Sequence, residues 1–337
     1  MNVVINVALL SRWHVHADDY ARQAKEIDDI SIKLVWDEEP ERGQKWAEEL
    51  GVPFEAKLET VLANSEIDAV IVDTPTNLHK EVIIQAAKHK KHIFTEKVLA
   101  FTVEDYNEIM AAIDEAGVKL MVSLPRLTED YYVYAQETLD KGLLGKLSMV
   151  RCRFAHNGAV PSDETGTGWL PEHFFNKEQC GGGALIDLGA HPIYLTNRLA
   201  GPATALSAIL QSTSDKYEVD DNAIVTVEYE SGALGVLETS FLSSGSPFQL
   251  ELYGTEGTLL IEDNQIKLKA KQTENKWVTP EALPESLPMP MVQWVKAIKD
   301  NVVPTITKED VRSLTAINQA AALSNQEGRK VNLTELN

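Results

Sequence analysis

The sequence lacks the features of disulfide-linked, secreted and membrane-spanning proteins. Only two cysteines, Cys152 and Cys180, occur among 337 residues, so a disulfide framework is excluded and a reducing cytoplasm is expected. No apolar run approaches the roughly 18 residues that a transmembrane helix needs. The N-terminal stretch has no basic region before its apolar residues and no small-residue cleavage site, so it is interpreted as a buried first strand.

Positive charge is scarce as well. Lysine and arginine together number 31 against 51 acidic residues, which gives a formal net charge of -20. A field of that sign repels nucleic acid and anionic membranes, and it says little about a small neutral substrate. The hydrophobic fraction of 44% is typical of a globular protein, and the length fits two domains.

Strand and helix signals alternate over the first 123 residues. Short apolar runs such as Val3–Leu10 and Ala69–Val72 are typical of parallel strands buried on both faces, and His14–Glu26 has helical spacing. The alternation predicts an α/β, doubly wound Rossmann domain over residues 1–123. Ligands of such a domain bind at the carboxyl ends of the strands.

The pattern changes after Pro125. A helix is predicted over Ala184–Leu199, and a run of strand-like stretches follows it. This predicts an α+β domain over residues 124–337 with an open, mostly antiparallel sheet, whose free face forms a homodimer or homotetramer. The last helix, Lys308–Glu327, could pack back on the first domain.

The turn after the first strand, Ser11–His16, has none of the three glycines of a dinucleotide fingerprint. Ser11 can form the tight turn, whereas Trp13 stands where glycine lets the backbone approach a pyrophosphate. The helix start still offers N–H groups to a phosphate, and Arg12 or His14 can add hydrogen bonds. Taken alone, this turn favours a plain strand-to-helix connection without a ligand.

Asp37 is the second indication of a cofactor. It ends the second strand, where a carboxylate either accepts hydrogen bonds from the adenosine ribose or caps a helix, and both interpretations stay open. Glu38 follows at a position where a 2′-phosphate would require a basic or hydroxyl side chain. The sequence therefore favours NAD over NADP.

Groups suited to proton and hydride chemistry occur in two further segments. Lys97 follows a predicted strand, where its ammonium can hold a hydroxyl and stabilise an alkoxide, although a lone lysine is usually solvated. Gly181–Gly183 lead into the predicted helix, on which Asp187 and His191 share a face. A histidine can accept a proton near neutral pH and a carboxylate can orient it. By themselves, an Asp and a His are more typical of a helix cap and a core residue.

Together these segments resemble the glucose-fructose oxidoreductase / inositol dehydrogenase / MocA family. The resemblance lies in Glu96–Lys97, the segment Gly181–His191, the loop Thr74–His79 and the ending Glu327–Val331, and it spans nearly the whole chain. It implies a Rossmann domain followed by an oligomerising sheet. It also implies an NAD-dependent dehydrogenase that acts on a hydroxyl of a sugar, cyclitol or related polyol.

The resemblance assigns roles to the matched residues. It implies that Lys97, Asp187 and His191 form the catalytic group: His191 is the general base, Lys97 holds and polarises the reacting oxygen, and Asp187 binds substrate or orients its neighbours. The implied cofactor-binding residues are Ser11, Arg12, Trp13, His14, Asp37, Thr74, Pro75, Asn77, His79, Glu96 and Lys97. The implied substrate-binding residues are Lys97, Arg126, Trp169, His173, Asp187 and His191. Val98 replaces the family's usual proline, which removes a possible cis bond, and Tyr194 replaces an aspartate.

Two alternatives and one ambiguity remain at this point. The missing glycines also fit a non-catalytic sugar or nucleotide sensor on the same scaffold. His14 and His16 form a pair of the kind that binds metal in amidohydrolases, although further ligands would be needed and no metal site is predicted. The aromatic segment from Trp169 to Phe175 fits either a wall against a sugar ring or ordinary loop packing.

Overall fold

A computed structural model of the chain describes residues 4–162, 166–263 and 265–336. The first part alternates strands and helices as predicted, although Val3, the predicted start of the first strand, lies outside the described residues. Its elements are β1 (Ile5–Leu10), α1 (Ala17–Glu26), β2 (Ile30–Trp36), α2 (Pro40–Leu50), α3 (Leu58–Ala63), β3 (Ala69–Val72), α4 (Thr76–Lys88), β4 (His92–Thr95), α5 (Val103–Ala116) and β5 (Leu120–Val122).

The second part begins with a helix and a long strand and continues mainly in strands. Its elements are α6 (Asp130–Asp140), β6 (Leu147–Ala155), α7 (Lys177–Cys180), α8 (Ala190–Ala200), β7 (Ala203–Gln211), β8 (Asn222–Tyr229), β9 (Leu234–Ser240), β10 (Gln249–Gly254), β11 (Gly257–Glu262) and β12 (Gln265–Ala270). The chain ends with α9 (Pro290–Asp300), α10 (Lys308–Glu327) and β13 (Val331–Asn332).

β1 to β5 form a parallel sheet in the order β2-β1-β3-β4-β5. β3 is buried along its whole length, as a strand covered on both faces must be. Helix α1 buries one face of small residues and Tyr20, whereas Asp18 and Asp19 remain in its exposed first turn. The sheet confirms the predicted Rossmann architecture. The helix predicted from His14 begins at Ala17 instead, so the turn after β1 is longer than expected.

β6 to β13 form the second sheet, in the order β12-β11-β10-β6-β9-β8-β7-β13. Neighbouring strands are antiparallel except for β6 and β9, which pair in parallel. Buried and exposed residues alternate along β8 and β12, as in a sheet with one covered face. This confirms the predicted open, mostly antiparallel sheet.

The chain divides into two compact units, and the division differs from the predicted one at residues 288–307. The first unit contains residues up to Ser123 together with Pro288–Thr307, and the second contains Leu124–Leu287 and the residues from Lys308 onward. Helix α9 therefore belongs to the first unit, and the last helix, α10, belongs to the second. The predicted boundary differs because the apolar residues of α9 do not by themselves indicate which hydrophobic core the helix packs against.

Trp294 on α9 fixes this helix to the parallel sheet of the first unit. Its side chain is 0% exposed, its ring lies 5.7 Å from that of Phe94 on β4, and its Nε1 donates to the Lys119 carbonyl at 3.4 Å. Lys299, in the last turn of α9, forms an ion pair with Asp29 before β2. A tryptophan buried so completely contributes strongly to the stability of the unit.

Replacing Trp294 with alanine should therefore lower the free energy of unfolding by about 3–5 kcal/mol, because a large side chain is lost from a packed core. Chemical denaturation followed by circular dichroism measures the change. Trp277→Ala is the matched control, since Trp277 is 48% exposed. Equal stability of the two variants would contradict the placement of α9.

Candidate functional site

The turn after β1 satisfies its own backbone groups. Ser11 adopts a φ of 78°, the left-handed conformation that usually selects glycine. Its Oγ accepts a hydrogen bond from the Trp13 amide at 3.0 Å, and the Arg12 amide donates to Asp37 at 2.9 Å. Trp13 is only 5% exposed, so its ring lies within the unit. A serine thus supplies the conformation that glycine supplies in a typical dinucleotide turn, and two amides of the turn bind side chains.

Asp37 ends β2 as predicted, but its carboxylate is already occupied. Its Oδ1 accepts from the Glu39 amide at 2.8 Å and from Arg42 at 2.7 Å. Its Oδ2 accepts from the Arg12 amide and, at 2.9 Å, from Arg42. These four hydrogen bonds fill the acceptor sites of a carboxylate. A ribose hydroxyl could bind Asp37 only by exchanging with Arg42, so the ribose contact stays a prediction.

The loop after β3 carries two buried polar groups that point to a ligand. The Asp73 amide donates to the Leu10 carbonyl at 2.9 Å, and the Asp73 carbonyl accepts from the His14 amide at 3.2 Å, which ties this loop to the turn after β1. Within the described residues, the two carboxylate oxygens of Asp73 have no hydrogen-bond partner. The same holds for the Oγ1 of Thr74. Burial, followed by the charges of Glu96 and Asp18, raises the pKa of Asp73 well above its ordinary value.

The loop after β4 holds the buried pair of Glu96 and Lys97. The Lys97 Nζ lies 3.7 Å from a Glu96 oxygen, and each side chain is 4% exposed. Tyr20 on α1 donates a short hydrogen bond to the other Glu96 oxygen. The Lys97–Val98 peptide bond is cis, although Val98 is not a proline, so the expected loss of a cis bond at this position is wrong.

His79 on α4 connects the loops after β3 and β4. Its Nδ1 lies 3.0 Å from the Val98 carbonyl oxygen, and its Nε2 lies 3.1 Å from the Thr74 carbonyl oxygen. Burial lowers the pKa of His79 to about 4, so the ring is neutral near pH 7 and donates to only one of these oxygens. This predicted cofactor residue thus fixes the backbone of the two loops. Pro75 immediately precedes α4, and Asn77 lies in its first turn.

These residues fit the nicotinamide half of a dinucleotide. Asp73 and Thr74 offer buried oxygens that lack partners in the described structure, and a carboxamide N–H or a ribose O–H could bind them. Both follow β3 at the carboxyl edge of the sheet, where doubly wound folds bind their ligands. The pyrophosphate half differs from a typical site because Asp18 and Asp19 occupy the first turn of α1.

In the second unit, the three glycines form a turn that Asp220 holds. The Gly183 and Leu185 amides donate to the two Asp220 carboxylate oxygens at 2.9 and 2.8 Å. A Cβ on Gly183 would lie 1.9 Å from the Asp220 carbonyl oxygen, so only glycine fits there. The helix predicted over Ala184–Leu199 begins at Ala190. The predicted common helix face for Asp187 and His191 is therefore wrong, because Asp187 lies in the turn before α8.

His191 lies in the first turn of α8 and is oriented by two aromatic neighbours. Its Nδ1 lies 2.6 Å from the hydroxyl of buried Tyr194, and its ring contacts the Phe154 ring edge-on at 5.0 Å between centres. The guanidinium of Arg126 lies 4.1 Å from the centre of the same Phe154 ring. The structure thus gathers His191, Tyr194 and Arg126 around Phe154 within the second unit.

The predicted aromatic segment divides between a cavity and the core. Trp169 is 60% exposed and lines a cavity of the second unit, whereas Phe174 is buried in a cluster with Leu188. His173 packs against Phe174, with ring centres 5.0 Å apart. Core packing therefore describes Phe174, and the wall against a sugar ring stays a prediction for Trp169.

Sequence reasoning missed Tyr20, Asp73 and Phe154. Asp73 carries the same signal as Asp37, a carboxylate directly after a buried strand, and that signal could have identified it. The sequence around Tyr20 predicts only a helix, and no local pattern marks Phe154 as a site residue. Their contacts with Glu96 and His191 depend on pairing across the fold, which local spacing does not show.

Two properties of the described residues concern membrane insertion and metal binding. Within the described ranges, no helix is long and apolar enough to cross a membrane. The rings of His14 and His16 lie 5.1 Å apart, but no group of three or more His, Cys, Asp or Glu side chains in the described part of the chain could hold a metal ion. A metal hydrolase would need such a group.

The Asp73→Asn variant tests the state of the buried carboxyl. Because the folded pKa is raised, wild-type stability should fall as the pH rises above roughly 3.9, the unfolded value, towards the folded pKa. The variant has no carboxyl at this position and does not lose stability in this way. Its free energy of unfolding should therefore increase relative to that of the wild type as the pH rises. Urea denaturation at several pH values measures it, with exposed Asp28→Asn as control. A difference that does not change with pH would contradict the assignment.

Comparison with known proteins supports this description. The model of an oxidoreductase family with an NAD-binding Rossmann fold matches residues 12–124, and the GFO/IDH/MocA C-terminal domain matches residues 132–260. A myo-inositol 2-dehydrogenase of Thermotoga maritima is 24% identical over 331 residues, which are 94% of this chain and 95% of that protein. A 2,7-anhydro-N-acetylneuraminate hydratase of Escherichia coli is 30% identical over 70% of this chain and 62% of its own length. The solved structure of a levoglucosan dehydrogenase with NADH and levoglucosan has a TM-score of 0.83 at 21% identity, covering 97% of this chain and 98% of that one.

Proposed function

The chain belongs to the GFO/IDH/MocA family of NAD-binding oxidoreductases, and we propose that it transfers a hydride between NAD and a hydroxyl-bearing carbon of a sugar, cyclitol or related polyol. The observation that carries the proposal is Lys97, a buried cation directly after β4 at the carboxyl edge of the parallel sheet. The relatives named inositol and levoglucosan dehydrogenase support this substrate class.

We assign Lys97 to the reacting oxygen. A buried ammonium donates a hydrogen bond to a hydroxyl and stabilises the negative charge that develops as the hydroxyl proton leaves. Glu96, 3.7 Å away, and the Tyr20 hydroxyl behind it restrict the direction of the lysine side chain. When bound, the nicotinamide accepts the hydride from the carbon, or returns it in the reverse direction.

We assign His191 to the proton. In the tautomer in which Nδ1–H donates to the Tyr194 hydroxyl, Nε2 carries the lone pair and can accept a hydroxyl proton. Tyr194 thus positions the imidazole of His191. At the position of Tyr194, the family usually has an aspartate. Arg126 and Asp187 are proposed to bind substrate hydroxyls. Because Asp187 lies outside α8, we do not propose that it acts from the same helix face as His191.

NAD is proposed over NADP on grounds of charge. Three carboxylates, those of Asp37, Glu38 and Glu39, lie within salt-bridge distance of the single guanidinium of Arg42. The cluster carries a net negative charge at the end of β2, where the adenosine ribose binds in this fold. A 2′-phosphate would be repelled there unless Arg42 left its partners.

The free face of the second sheet is the proposed subunit interface. Ile209, Ile224 and Leu234 project from neighbouring strands β7, β8 and β9 and are exposed in the single chain. Exposed large apolar side chains on an open sheet face are typical of an interface between identical subunits.

The Lys97→Met variant tests the proposed function. Methionine keeps the length of the side chain but removes the charge, so turnover of NAD with an accepted polyol should fall by about 10²–10³-fold. Absorbance of the reduced nicotinamide gives the rate, and circular dichroism verifies folding. Lys88→Met is the matched control because Lys88 is exposed on α4. Turnover close to that of Lys88→Met would remove Lys97 from the mechanism.

A further inference from the structure

We propose that the second unit binds a second sugar ring in the cavity lined by Trp169, so that the substrate is a neutral glycoside of at least two rings. The proposal rests on the proposed oxidoreductase function and specifies its substrate. The cavity has a volume of about 840 Å³. Its lining includes Trp169, Glu172, Phe175, Asn176, Lys216 and Tyr217.

Two aromatic surfaces of the cavity suit the apolar faces of a sugar ring. Trp169 is held by a hydrogen bond from its Nε1 to Asn157 Oδ1 at 3.2 Å, and it remains 60% exposed. Phe175 and Tyr217 stack with ring centres 4.4 Å apart and an interplanar angle of 20°. Aromatic side chains supply large contact areas at little entropic cost, and here they are already fixed.

The polar residues of the cavity indicate a neutral, hydroxyl-rich ligand. Glu172 and Lys216 contribute one charge of each sign, and Asn176, Thr213 and Ser214 add amide and hydroxyl groups. This balance contrasts with the net charge of -20 for the whole chain. Among the described lining residues one acid and one base offset each other, and such a mixed polar lining favours a hydroxyl-rich ligand over phosphates or carboxylates.

Two consecutive aspartates connect the cavity to the candidate active site. Asp220 accepts from the amides of Gly183 and Leu185, in the segment that leads to α8. Buried Asp221 accepts from the Thr213 amide at 2.9 Å, the Thr213 hydroxyl at 2.8 Å and the Tyr217 hydroxyl at 3.0 Å. The loop that forms one wall of the cavity is therefore anchored next to the segment that positions Asp187.

A second connection runs through His156. Its ring stacks on Phe241 with an interplanar angle of 7°, and it lies 4.7 Å from the Trp169 ring. Asp187 lies within electrostatic reach of His156 and opposes the lowering of its pKa that burial causes. His156 thus contacts Trp169 and also interacts with the charge of Asp187, so the cavity wall and the segment before α8 share this side chain.

The size of the cavity favours an additional ring over a single small polyol. Its volume lies in the upper part of the range of about 300–1,000 Å³ that is typical of pockets for drug-sized ligands. Its floor is rigid, because Leu170 and Phe175 on the lining pack on a cluster with Ala184 and Leu188. A preformed cavity of this size requires little reorganisation on binding.

Calorimetric titration of the full-length protein with glucose, maltose and cellobiose tests the proposal, together with NAD reduction by the same sugars. At least one disaccharide should bind about tenfold more tightly than glucose. Trp169→Ala, which removes an aromatic face, and Ser214→Trp, which fills the cavity, should each remove most of that preference. Trp277→Ala should keep the wild-type ratio, because Trp277 lies outside the cavity lining.

The two readouts separate failure of this inference from failure of the proposed function. Reduction of NAD by single-ring polyols, with no disaccharide bound more tightly than glucose, would overturn the second-ring site and leave the oxidoreductase in place. Tight disaccharide binding that depends on Trp169 and Ser214, without NAD reduction, would support the site and contradict the reaction. A preference that persists in both cavity variants would also overturn the inference.

Discussion

The carboxyl edge of the parallel sheet is the constraint on which the rest of the first unit depends. β1, β3 and β4 end side by side, and backbone hydrogen bonds join their loops, from the Asp73 amide to Leu10 and from the Glu96 amide to Val72. Because the loops are held in this way, polar side chains distant in sequence are brought to one edge. The same arrangement buries Asp73, Glu96 and Lys97, and burial increases the strength of their charge interactions.

Within the second unit, the corresponding constraint is the glycine turn before α8. Only glycine at position 183 allows the close approach of Asp220, and that contact determines where Asp187 and the start of α8 lie. Tyr194 then orients His191 from the same helix. Each unit thus presents its reactive groups on short connections fixed by buried hydrogen bonds.

The sequence was sufficient to predict the two architectures, whereas the roles of the candidate residues stay predictions. Continuous apolar runs and helical spacing are local properties, so β3 and α10 were predicted with the bounds that the structure shows. The start of α8 was misplaced because Ala184 and Leu185 have good helix propensity, whereas their amides bind Asp220, which is distant in sequence. The occupation of Asp37 by Arg42 and the inclusion of α9 in the first unit depend on tertiary contacts, which composition and spacing do not encode.

The proposed reaction requires that the carboxyl edge of the parallel sheet binds a dinucleotide although the turn after β1 lacks the glycine fingerprint. Calorimetric titration of the full-length protein with NAD and, separately, with NADP measures this binding. We expect saturable binding of NAD, about one per chain, with weaker binding of NADP because of the acidic cluster around Arg42. No binding of NAD by protein that retains a cooperative thermal unfolding transition would show that this edge is not a dinucleotide site.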